Sequence, residues 1–108
     1  LPGQLWPLYA LEVGRAYLQA GNWSEAERHL RFAIKAERFW GNPSMFYSPN
    51  FFTATLAHFY LGKLREQSGE KPEAIDAYQE FLGHFENSTA KLAQIAEARD
   101  AMKRLLQH

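Results

Sequence analysis

Apolar residues recur along this chain at spacings of three and four, and no four-residue run alternates cleanly enough to predict a strand. That pattern predicts five helices. The first covers about residues 5–20. The second covers 24–39, with Ser24 and Glu27 at capping-box spacing. A linker over 40–50 holds Gly41, Asn42, Pro43, Ser48 and Pro49, all turn formers. The third helix covers 51–68 and stops at Gly69. The fourth opens with Pro72 in its first turn, where a missing N–H does no harm, and ends near Phe85. Asn87 and Ser88 are candidate caps for a fifth helix over 88–106. Loops of two or three residues join helices one to two, three to four and four to five, which forces antiparallel neighbours. The predicted order is a hairpin (5–39), a linker (40–50), a second hairpin (51–85) and a final helix.

Composition narrows the function classes. A chain of 108 residues that is 46% hydrophobic and 15% aromatic can build one ordered core. Twelve Lys plus Arg balance twelve Asp plus Glu, which argues against nucleic-acid binding, where a basic domain or stripe is needed. No run of eighteen apolar residues exists to span a membrane. Without cysteine there is no disulfide, thiolate zinc site or cysteine nucleophile, a composition compatible with the cytoplasm. The chain begins at Leu1 with nothing like a signal peptide and reads as a piece of a longer protein.

An internal repeat organises the helices. Gly21–Ala26 (GNWSEA) aligns with Gly69–Ala74 (GEKPEA), so that Gly21 meets Gly69, Glu25 meets Glu73 and Ala26 meets Ala74. Backwards, Val13-Gly14 meets Leu61-Gly62; forwards, Leu30 meets Tyr78 and Ile34 meets Leu82. Gly14 and Gly62 let the helices of a hairpin approach closely. Gly21 and Gly69 close a first helix, where positive φ is often required. Ala26 and Ala74 sit where the second helix crosses the first.

These residues resemble the tetratricopeptide repeat family, whose units are helical hairpins of about 34 residues. Val13, Gly14, Tyr17, Gly21, Trp23, Ala26, Leu30 and Ala33 carry the resemblance in the first unit. Leu61, Gly62, Gly69, Ala74 and Tyr78 carry it in the second. Arg65 stands where a Tyr is usual, and Phe81 where an Ala is usual. Ile95 and Ala96 keep the frame in the fifth helix, which has no closing Gly and so looks like a terminal cap. The implied fold is an all-α superhelix of two hairpins plus a capping helix. Ala26 and Ala74 lie 48 residues apart, fourteen more than one repeat, with the excess in the linker and flanking turns. The arrangement is similar to repeat tails of large bacterial signalling and regulatory proteins.

The resemblance implies that first helices line a concave face that binds a protein or peptide. On the first helix that stripe is Leu8, Leu11, Arg15, Leu18 and Gln19; on the third it is Phe52, Leu56, Phe59, Lys63, Glu66 and Gln67. The third helix's core stripe is Ala57, Tyr60, Leu61 and Leu64. A groove apolar at one end, with Arg15 and Lys63 further along, predicts a partner with an apolar anchor and an acidic residue. The same side chains could instead pack against the linker or upstream repeats. The Lys/Asn carboxylate clamp of some family members is absent, because its Asn positions hold Glu12 and Tyr60. Phe39, Trp40, Phe46 and Tyr47 crowd the linker, either as binding anchors or as packing between hairpins. Two other function classes stand beside peptide binding: a homodimerisation element, and a small-ligand sensor with Trp40, Phe46 and Phe59 around its pocket.

Catalytic and metal chemistry find little support. His29, His58, His84 and His108 never fall three or four apart, so no metal pair forms on one helix. His58, where the family often has Trp, is expected in the core with one hydrogen bond; His29 and His84 are expected on outer faces. Glu27 with Arg31, and Asp100 with Arg104, read as surface pairs worth a few tenths of a kcal/mol. There is no phosphate loop, nucleophile elbow or helical His-Glu-x-x-His, so no cofactor, metal or catalytic residue is predicted.

Overall fold

The computed structural model describes the backbone of residues 2–40, 49–86 and 91–107, and the side chains of 8–35, 53–86 and 91–107. Five helices follow one another: α1 (Pro2–Gln19), α2 (Trp23–Trp40), α3 (Pro49–Gln67), α4 (Lys71–Gly83) and α5 (Ala93–Leu106). No strand occurs among the described residues. α5 starts five residues later than the sequence predicts. The caps Asn87 and Ser88, the linker aromatics Phe46 and Tyr47, the side chains of Phe39 and Trp40, and His108 lie outside the described residues.

The turns between paired helices repeat almost atom for atom. Gly21 and Gly69 have φ of 80° and 81°, a left-handed conformation that strains any side chain. After α1, the Asn22 amide donates to the Tyr17 carbonyl (2.9 Å) and the Gly21 amide to Leu18 (3.1 Å). After α3, Glu70 donates to Arg65 (2.8 Å) and Gly69 to Glu66 (3.2 Å). This double closure satisfies helix-end carbonyls that would otherwise lack donors. α2 starts earlier than Ser24. Asn22 is its cap, accepting the Glu25 amide on Oδ1 at 3.3 Å, and Glu27 is thereby free to face α3.

Hairpin packing explains the small residues. A Cβ on Gly14 would stand 2.9 Å from the Leu30 side chain, and one on Gly62 would stand 2.9 Å from the Tyr78 ring. Leu30 and Tyr78, the aligned pair, therefore fill the gap that each glycine leaves. Ala26 and Ala74 are fully buried at the crossings. α1 packs on α2 and α3 on α4; α3 also lies against α2 and α1, and α5 closes on α4. The core runs through Leu11, Leu30, Phe59, Leu64, Tyr78 and Phe81, and ends in Ile95, Ala98 and Ala101 of α5. Each large apolar side chain buried there contributes about 1.5–3 kcal/mol.

Polar side chains lock the layers. Arg65, 13% exposed, holds Glu27 of α2 at 2.9 Å and Glu70 at 3.3 Å. The position that usually carries a Tyr thus makes an ionic tie between repeats. Arg31 holds the same Glu27 at 2.7 Å, four residues along α2. Arg104 pairs with Glu66 of α3 at 2.8 Å instead of with Asp100, so α5 is tied across to α3. Glu66 also accepts the Tyr78 hydroxyl at 3.0 Å. Burial and this acceptor carboxylate push the Tyr78 phenol well above its ordinary range.

Candidate functional site

A cleft of about 290 Å³ opens where α1, α3 and the first turn of α5 converge. Six of the residues placed on the concave stripe by sequence line it: Arg15, Leu18, Gln19, Phe59, Lys63 and Gln67. Leu11 is 2% exposed and Phe59 1%, so their side chains belong to the core. Leu56 is half-buried against that same core. Glu66 points instead to Tyr78 and Arg104, and the side chain of Phe52 lies outside the described residues. The apolar members are consumed by packing because α1 and α3 touch directly. What remains open to solvent is mostly cationic and amide chemistry.

The charges sit in defined surroundings. The Arg15 guanidinium lies 4.8 Å over the Tyr60 ring and reaches Glu12 at 3.1 Å. Lys63 Nζ lies 2.9 Å from Glu97 of α5 and 5.7 Å from the centre of the Phe59 ring. Gln19, Gln67 and Gln94 add three amides, with Gln94 Nε2 donating to Tyr60 Oη at 3.5 Å. Each amide both donates and accepts, which suits the alternating N–H and C=O of a peptide main chain.

Sequence reasoning missed the α5 wall of Ala93, Gln94 and Glu97, and put Tyr60 in the core alone. Gln94 and Glu97 share a face at the spacing of one helical turn, which was readable. That this face turns towards Lys63 depends on tertiary packing.

Residues 56–88 match the family model of the tetratricopeptide repeat. The chain carries a tetratricopeptide repeat. The match takes in most of α3, its closing glycine and all of α4, and α1–α2 reproduces the repeat's turn geometry and glycine contact. Tetratricopeptide repeats mediate protein–protein interactions and are generally non-catalytic, and the match suggests a protein-interaction module. No curated protein and no solved structure matches the chain.

The histidines sit in separate local environments. His29 Nδ1 lies 2.9 Å from the Glu25 carbonyl and its ring stacks at 5.4 Å on Tyr17, so it is partly buried. His58 is half-buried, and desolvation holds its pKa below the ordinary value. His84 lies 3.7 Å from Glu80 on the same helix. Among the described residues no three His, Cys, Asp or Glu gather as metal ligands, and no helix is long and apolar enough to cross a membrane. Of the aromatic triad named for a small ligand, Phe59 belongs to the core; the Trp40 side chain and Phe46 lie outside the described residues.

Proposed function

We propose that this repeat module binds an extended peptide segment of a protein partner in the α1–α3–α5 cleft, with a partner carboxylate taking the place of Glu97 at Lys63. The supporting observation is the grouping of Arg15, Lys63 and three glutamine amides around one open cleft whose floor is fully packed. Main-chain recognition by the amides and charge recognition by the cations need no deep apolar pocket. In this reading the module serves a larger cytoplasmic signalling or regulatory protein and has no catalytic role.

Affinity recovery from cells of the source organism, with quantitative mass spectrometry, tests the cleft. Lys63→Glu is expected to lower partner recovery about tenfold. Glu97→Gln frees Lys63 and is expected to raise it. If both variants keep their helical signal and recover the same proteins in the same amounts, the cleft is not the binding site.

A further inference from the structure

A second cleft, of about 530 Å³, lies on the other hairpin surface, between α1 and α2. Its lining includes Tyr9 from α1 and Arg28, His29, Arg31, Phe32 and Lys35 from α2. Tyr9 is 69% exposed and Phe32 43%, so aromatic surface faces water between three cations. Among the described residues no carboxylate lines this cleft. Glu25 and Glu27 hold Arg28 and Arg31 from the same helix, each at 2.7 Å. A guanidinium has five N–H donors, so one such pairing orients it and leaves donors for a second carboxylate.

The hairpin fold does not demand this set. The equivalent positions 48 residues on are Ala57 for Tyr9, Asp76 for Arg28, Gln79 for Arg31, Glu80 for Phe32 and Gly83 for Lys35. One repeat is basic and aromatic where the other is acidic and small, on the same scaffold. Exposed aromatic and Arg side chains in one concave patch are the residue types that dominate protein interfaces.

We propose that the α1–α2 cleft is a docking site separate from the α1–α3–α5 cleft. It takes an amphipathic segment of another protein that carries carboxylates beside an apolar anchor. The cations choose the carboxylates, and Tyr9 and Phe32 choose the anchor. A nucleic acid fits less well, because the chain has no net charge and Glu25 and Glu27 offset two of the three local cations. A second copy of the chain fits less well too. Its α4 face offers Glu73, Asp76 and Glu80, but no large hydrophobic side chain is exposed beside them to serve as the anchor.

The test uses the full chain and a fluorescein-labelled synthetic helix of about four turns, with Trp and Leu on one face and Glu beside them. Anisotropy is expected to show saturable binding that weakens as salt rises through about 0.15 M. Arg28→Glu with Lys35→Glu is expected to weaken binding at least about tenfold, and Tyr9→Ser to weaken it without changing net charge. Lys63→Glu, in the other cleft, is expected to leave it unchanged. Circular dichroism melts establish that each variant is folded. The proposal is overturned by the absence of saturable binding, by equal binding of a Lys-for-Glu version of the helix, or by insensitivity to both sets of substitutions. Displacement of the helix by an oligonucleotide overturns it in favour of nucleic acid. Self-association in sedimentation velocity that the charge reversals abolish overturns it in favour of a second copy.

Discussion

Truncating Phe59 to alanine separates a binding anchor from a core residue. The ring is 1% exposed and meets Tyr60 edge-on at 4.9 Å, Phe81 at 5.3 Å and Tyr78 at 6.1 Å. Removing about 150 Å² of buried ring at about 25 cal/mol per Å² loses about 4 kcal/mol, within the 3–5 kcal/mol typical of such truncations. Domains of this size are stable by only about 5–15 kcal/mol, so the variant should be partly unfolded or close to it. Urea titration followed by circular dichroism measures the loss. With a slope of about 1–3 kcal/mol per molar, the midpoint should fall by more than about 1 M. Phe59→Leu, which keeps most of the volume, should lose less than about 2 kcal/mol. A loss below about 1 kcal/mol for Phe59→Ala, with partner binding abolished, would refute the core assignment and restore Phe59 as an anchor.

Two further outcomes probe the repeat geometry. Gly62→Ala gains up to about 1 kcal/mol of helix propensity but drives a methyl against the rigid Tyr78 ring, so a net loss of about 1–2 kcal/mol is expected in the same titration. Gly83→Ala, where no atom stands within 4 Å of the new methyl, should be neutral or stabilising; equal behaviour of the two would count against the close approach of α3 and α4. Arg65→Ala should cost about 1–3 kcal/mol at neutral pH, because Glu27 loses its best partner. The Arg65 hydrogen bond is the largest cause holding the Glu27 carboxyl below its ordinary value of 4.5. That stabilisation is present above 4.5 and is lost as pH falls through the depressed folded value. Thermal melts from pH 7 downwards should therefore show the native chain and the variant converging in acid, and a constant gap would contradict the ion pair.

Much of the fold was legible because the repeat is written in small residues. Gly14, Gly21, Gly62 and Gly69 mark close approaches and positive-φ turns that few other residues tolerate, and Leu30 and Tyr78 fill the spaces facing two of them. The start of α2 was less legible: Asn22 and Ser24 are both capable caps, and Asn22 fills the role because the preceding glycine turn delivers it there. The stripe along α1 and α3 named six side chains that do share a cleft. Periodicity places residues on a face but cannot say how deep that face lies. Leu11 and Phe59 therefore read as groove surface until α1 packs on α3. Nor could it give the partners of Lys63 and Arg104, since Glu97 and Glu66 come from helices whose mutual placement is a tertiary result.

The tie from Arg65 to Glu27 makes the two hairpins non-interchangeable parts. The positions 48 residues away hold Tyr17 in place of Arg65 and Ile75 in place of Glu27. The joint between the units is therefore keyed, with an acid on the leading hairpin and a base on the following one. Shuffling the hairpins into the reverse order would bring an aromatic ring against Ile75 and leave Arg65 with Glu70 as its one remaining carboxylate. A designer extending the array from this chain would have to copy the key with the lock, carrying Glu27 and Arg65 together into each new junction.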